Sequence, residues 1–288
     1  MCERGTPIMN DAEEKFIVYV ERMPAFPKSV HKVMQLAEDV DSSAKDIVAV
    51  IESDPIMTVK ILKVINSAFY ALPQKITSIQ RALVHIGINT IKNLALSVAA
   101  IGVLNSHNKA GFDTDLFLQH SLAVAVLSKK LAERMGVHLM HSSDYFVAGL
   151  LHDFGKIVFA EFMPHEFKLA LEQSKVQQID LHLAELEIMG INHAQAGRML
   201  ALKWELAENL ANAIDLHHSV GRGELLVDCV FSANQIAKKM QIGDAGNPII
   251  DSFPEELANV FGMSLDELIA SLGDVSLIKS EVQQFMQA

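Results

Sequence analysis

The sequence predicts an all-α fold, a two-lobed helical bundle, on three observations. Ala, Leu, Val, Ile and Met carry most of an apolar half of the chain while aromatic residues supply only 6%, a mixture suited to helix-on-helix packing. Every periodic segment repeats its apolar residues near 3.6 positions, and no strand pattern competes. Helix-start signals recur: Ser43 with Asp46, Asp54 with Pro55, and Ser264 with Glu267. At 288 residues the chain suits one large helical domain or two fused lobes.

The elements follow in order. Residues 1–12, with Gly5, Pro7 and Asn10, read as a flexible lead-in, and order is expected from about Glu13. Val30, Val33, Met34 and Ala37 form an amphipathic helix after a cap at Ser29. Ile47–Ile51 and Ile56–Ser67 are helices that meet at Ser53. Gly87 is placed to end a helix carrying Ile79, Ala82 and Leu83, and Asn89 to cap the next, from Thr90 towards Val103. Residues 13–104 thus make a first lobe, and the polar interval 105–113 a loop between lobes.

The second lobe spans 114–243. Thr114 can cap a long helix to Met135, closed by Gly136. Further helices are expected over Asp144–His152, Lys156–Phe162, Leu181–Met189, His193–Lys203, Ala207–His217 and Glu224–Met240. After a break at Gly243–Pro248, residues 254–288 form C-terminal helices packed on the second lobe.

Composition also excludes classes. A net charge of -11, with Lys129-Lys130 as the longest basic cluster, disfavours nucleic-acid binding. Cys2 and Cys229 lie far apart, without disulfide or zinc-knuckle spacing. The longest apolar run, Leu94–Leu104, is interrupted by Ser97 and Gly102 and falls short of the roughly 18 residues a membrane span needs. The N-terminus shows neither signal nor transit peptide, so a cytoplasmic location is expected.

The chemically informative feature is His152-Asp153 in the string Ala148 to Lys156. Adjacent helical residues point about 100° apart, so the pair can share a cation only where the helix ends or distorts, which Gly155 permits. His120, His193, His217 and His218 lie on or beside other helices. Imidazole with carboxylate suits Zn, Fe, Mn or Ni, and Lys156 could contact a substrate phosphate. By residue type alone the pair reads more readily as structural, since an Asp after a helix often caps the next one. His31, His85, His107, His138, His141, His165 and His182 read as ordinary surface or core histidines.

An ordered series of motifs changes that balance. Met23-Pro24-Ala25-Phe26-Pro27, Ser53 to Thr58, Asn66-Ser67-Ala68, Ile76 to Ala82 with Gly87, His120-Ser121, Ala148 to Lys156, His193 to Gly197, Trp204 and His217-His218 together resemble the HDOD family. That family is a degenerate relative of the HD metal-dependent phosphohydrolases, and the likeness covers about residues 20–220. It implies a helical output or interaction domain of bacterial signalling with an HD-like second lobe, often joined to receiver or sensory domains. No such domain precedes residue 20, so the chain acts alone or is a piece of a longer one.

The resemblance further implies metal ligands at His120, His152 and Asp153, with a last ligand near Asn234. Asn234 stands in Ser232-Ala233-Asn234-Gln235, and its amide is a poorer ligand than a carboxylate. Asp228, six positions earlier, falls on another part of that helix. The Gly-Tyr-Pro loop of the related cyclic-dinucleotide phosphodiesterases is replaced after His217-His218 by Ser219-Val220-Gly221-Arg222-Gly223. The expectation is a non-catalytic signalling domain with a protein partner or fused sensory domain, which keeps metal-competent groups. The alternative is a metal-dependent phosphohydrolase acting on a nucleotide or other phosphoester.

Overall fold

The computed structural model describes residues 11–39, 41–66, 72, 74–104, 109–219, 221, 223–247 and 249–286. These contain sixteen α-helices and no strand. The first five are α1 (Asp11–Arg22), α2 (Lys28–Glu38), α3 (Ala44–Glu52), α4 (Pro55–Ile65) and α5 (Ile79–Val103). Ser43 and Asp46 form a reciprocal capping box on α3. Asp54 Oδ1 accepts the Met57 N–H at 3.0 Å, with Pro55 opening α4.

Three details differ from the sequence expectation. Pro27, not Ser29, stands before α2, and the Ser29 hydroxyl instead donates to Asp54 Oδ2 at 2.8 Å, tying α2 to the start of α4. Gly87 does not separate two helices with Asn89 as a cap. It kinks one helix, at φ 75° and ψ 167°, where a side chain would be strained. α4 closes at Ile65, and Ser67 lies outside the described residues.

Helices α2, α3 and α4 pack on α5, burying Ile79, Ile91, Leu94 and Ala95. Among the described residues α5 alone is long and apolar enough to cross a membrane, but half of its most apolar window is buried inside the protein. The sequence reading counted only the shorter run after Asn93.

The next eight helices are α6 (Thr114–Arg134), α7 (Leu139–Leu151), α8 (Gly155–Phe162), α9 (Pro164–Gln177), α10 (Leu181–Met189), α11 (His193–Lys203), α12 (Glu208–Leu216) and α13 (Leu225–Lys239). Asp113 caps α6 by accepting the Asp115 and Leu116 N–H groups, so Thr114 is the first helical residue rather than the cap. α7 begins five residues before the expected Asp144 and stops at Leu151. Helix α9 was not expected: Glu172-Gln173-Ser174-Lys175 obscures its apolar face, although Pro164 in its first turn is a start signal.

Helices α6, α7 and α13 pack mutually, with α12 laid on α7 and α13 and α11 on α12 and α8. α1 packs against α8 and α11, so the earliest helix belongs with the later ones. Lys203 fixes that contact by donating to the carbonyls of Val20, Glu21 and Met23 at the end of α1. Beside it the Trp204 indole N–H donates to Pro24 O at 3.1 Å and its ring stacks on Phe26 at 4.4 Å. Three short helices close the chain, α14 (Glu255–Phe261), α15 (Leu265–Ser271) and α16 (Val275–Met286), with α15 against α13 and α16 against α6.

Candidate metal centre

His152 and Asp153 occupy the turn between α7 and α8, where the break in helical geometry lets neighbouring side chains converge. Gly155 has a different task from the one expected. A Cβ there would lie 2.0 Å from the His193 carbonyl oxygen, so the glycine lets α8 cross α11 closely and brings His193 to Asp153.

Around this turn the structure gathers His120 from α6, His193 from the start of α11, His217 and His218 after α12, and Asn234 from α13. All but His218 are buried, at 3% exposure or less, as are Asp153 and Lys156. Two groups of donors form, His120 with His152 and Asp153, and His193 with His217 and His218; within each, the ligand atoms lie within 4.8 Å of one another.

Asp153 joins the groups. Its Oδ2 lies 3.3 Å from His152 Nε2 and its Oδ1 lies 3.0 Å from His193 Nε2 and 3.6 Å from His217 Nε2. Lys156 Nζ donates to Oδ2 at 2.6 Å. Burial alone would raise the Asp153 pKa, but His152, Lys156 and His193 outweigh it and hold the carboxyl well below the usual range.

The ring tautomers follow from backbone contacts. His152 Nδ1–H donates to Gly149 O at 2.8 Å and His217 Nδ1–H to Ile214 O at 2.6 Å, so both Nε2 lone pairs face inward. Burial, then the neighbouring His152 and His193, holds His217 neutral. Burial likewise lowers His120 to about 3. Its Nε2–H donates to Asn234 Oδ1 at 3.1 Å.

His193 differs. Its Nδ1–H and its backbone N–H both donate to Glu185 Oε2, at 2.6 and 2.8 Å. Burial opposes its charge, yet Glu185 and then Asp153 prevail over the repulsion from Lys156, and its pKa is raised. Glu185 escaped the sequence reading; the available signal was a carboxylate on the apolar face of α10, one turn after Leu181. His218 Nε2 sits 2.9 Å from His193 Nε2. His182, set aside in the sequence, stacks on His218 at 4.1 Å but belongs to neither donor group.

The residues fit a divalent transition metal. His152 Nε2, His217 Nε2 and Asp153 Oδ1 are buried without a hydrogen-bond partner, so the short approaches among them aim at common points rather than along hydrogen bonds. Buried polar atoms left so are costly unless something else satisfies them. Imidazole and carboxylate donors suit zinc, iron, manganese or nickel. Lys156 is engaged by Asp153 and by Ala245 O at 3.0 Å, so in this arrangement it is not free for a substrate phosphate. Asp228 accepts the Gly221 N–H at 3.2 Å and does not join the centre. His107 lies outside the described residues.

An all-helical fold with a histidine–aspartate turn at the meeting point of its central helices defines the HD-like class. The HDOD domain model matches residues 23–220, and the chain belongs to the HDOD family. A curated relative, an uncharacterized protein of Treponema pallidum (strain Nichols), is 23% identical over 269 residues covering 92% of this chain. The chain spans about half (51%) of that relative's length. Among solved structures, an HDOD domain protein of unknown function from Geobacter sulfurreducens is similar over 95% of this chain and 99% of its own, with TM-score 0.77 and 22% identity. A protein of conjectured signal-transduction role from Marinobacter aquaeolei VT8 is similar over 96% of this chain and 66% of its own, with TM-score 0.74 and 20% identity.

Proposed function

We propose that this chain is a cytoplasmic signal-transduction output domain that binds a protein partner or a fused sensory domain, and whose histidine–aspartate centre holds a divalent ion without turning over a phosphoester. The observation that carries this reading is the contact between His120 and Asn234. An Asn carbonyl supplies no negative charge where a carboxylate would retain a second cation, and in a two-metal reaction that cation stabilises the leaving oxygen. The three inward-facing donor atoms without hydrogen bonds favour a bound ion. The ion, when bound, would polarise whatever oxygen reaches it; His152, Asp153, His193, His217 and His218 would hold it, while Glu185 orients His193.

Metal analysis of chelator-free protein, paired with anomalous scattering at the centre, tests the first half. Roughly one ion per chain is expected, lost in His152→Ala. Protein that neither retains nor takes up zinc, manganese, iron or nickel would refute it. The alternative, a metal-dependent phosphohydrolase, draws on the retained donor groups and stands or falls on turnover by the loaded protein.

A further inference from the structure

Between α13 and α14 the chain from 241 to 251 has no regular structure but is held at many points, with Pro248 outside the described residues. Gly243, at φ 68°, lies so close to α6 that a Cβ would fall 2.3 Å from the His120 backbone nitrogen. The next N–H, of Asp244, donates to Leu116 O at 3.0 Å. Ala245 O accepts from Lys156 and Ile249 O from Lys238, each at 3.0 Å. Asn247 Nδ2 donates to Asp180 Oδ1 at 2.8 Å, while Asp251 exchanges hydrogen bonds with Gln235 at 2.9 and 2.7 Å. Lys238 lies one helical turn beyond Asn234 on α13, so both lysines border the centre.

A buried lysine ammonium needs acceptors, and beside a metal centre the natural competitor for two such donors is an anion. Here Lys156, buried, is held by the Asp153 carboxylate and by Ala245 O, and Lys238, partly buried, by Ile249 O with Asp251 and Asp180 nearby, so a main-chain carbonyl of the same protein takes one donor position on each.

We propose that residues 241–247 with 249–251 are an autoinhibitory strap, whose Ala245 and Ile249 carbonyls stand where oxygens of a phosphate-class anion would bind Lys156 and Lys238, so that strap and anion exclude one another. This rests on the centre being an ion-binding site. The strap covers the His120 side, while His218 at the opposite side remains half-buried. An ion can therefore enter past His218 with the strap closed, whereas the lysines open only when it lifts. When the competent state is a minor fraction, apparent affinity falls by that fraction, so loosening the strap should tighten anion binding without new contacts.

The test measures inorganic phosphate binding by ³¹P line broadening, amide exchange over residues 241–251, and metal content, for wild type, Asn247→Ala and Asn247→Ala/Lys238→Met. Asn247→Ala is expected to speed exchange in the strap and to tighten phosphate binding about tenfold, with the Lys238→Met change cancelling the gain. Faster exchange with unchanged affinity, or phosphate bound by none of the proteins, overturns the proposal. Should Asn247→Ala leave exchange unaltered, Gly243→Ala is the second means of lifting the strap, and failure of both shows that the segment is not separable from the core. Metal content is read on the same samples. A metal-free protein in which phosphate still competes with the strap would sink the ion reading alone.

Discussion

The two donor groups of the centre differ in composition, two imidazoles with the Asp153 carboxylate against three imidazoles, and they differ again in their support. His193 is backed by the Glu185 carboxylate and carries a raised pKa, and its partner His218 is half-buried. His120 is backed by the Asn234 amide, has its pKa lowered to about 3, and lies beneath Gly243. One group keeps charge at its back and an edge near solvent; the other carries its charge within, on Asp153, has only a neutral amide behind His120, and is covered. Ligand identity alone would favour the group that holds Asp153, yet the charge behind the ligands also sets retention of an ion. One centre can thus carry two halves with different electrostatic support.

The largest effect is expected at Asp153, which serves both halves. Asp153→Asn leaves the Lys156 ammonium buried without its carboxylate, and breaking such a pair typically costs about 3–5 kcal/mol. Urea denaturation should show that loss, together with loss of metal from both groups. A variant as stable as wild type would mean that Asp153 is neutral in the native protein.

Glu185→Gln should act on one half only. Removing a carboxylate behind a ligating histidine commonly lowers metal affinity about 10–100-fold, so a metal titration of the variant should show the single ion bound more weakly by that factor. In chelator-treated wild type, the raised His193 pKa makes a contribution to stability that is complete below the unfolded value of about 6.5. That contribution disappears as pH rises through the folded pKa. The variant's stability should be flatter over that interval; identical pH profiles would break the comparison between halves.

Asn234→Asp is the converse, since it gives His120 the kind of support that His193 has. A second binding step, at the His120 group, should appear in the same titration. No change would show that burial under the strap, rather than the missing carboxylate, limits that half.

The smallest effect is expected away from the centre. Lys203→Met removes the donor to three carbonyls at the end of α1 and should cost about 1–3 kcal/mol of stability with metal uptake intact. A loss of metal would mean that α11 transmits strain from Trp204 to His193.

Much of the helical architecture was legible because capping residues act locally: the boxes at Ser43 and Ser264 sit where their spacing put them. Thr114 misled because the neighbouring Asp113 could cap instead, and Ser29 because its hydroxyl goes to Asp54 of another helix start while α2 begins after Pro27 without a side-chain cap. The histidines of the centre stood out by residue type and order. Glu185 did not, because its role depends on α10 meeting the start of α11, a contact with no local spacing rule. The strap was equally hidden: Gly243 to Pro248 reads as an ordinary loop until Lys156 and Lys238 are seen to hold its carbonyls.

The central claim is that the centre holds an ion yet does not hydrolyse phosphoesters, and turnover of a generic aryl phosphodiester by manganese-, iron- or zinc-loaded protein tests it most directly. The expected rate is indistinguishable from that of His152→Ala and Asp153→Ala assayed in parallel. Turnover near the roughly 1 s⁻¹ lower end of ordinary enzymes, abolished in both variants, would contradict the claim and establish the phosphohydrolase.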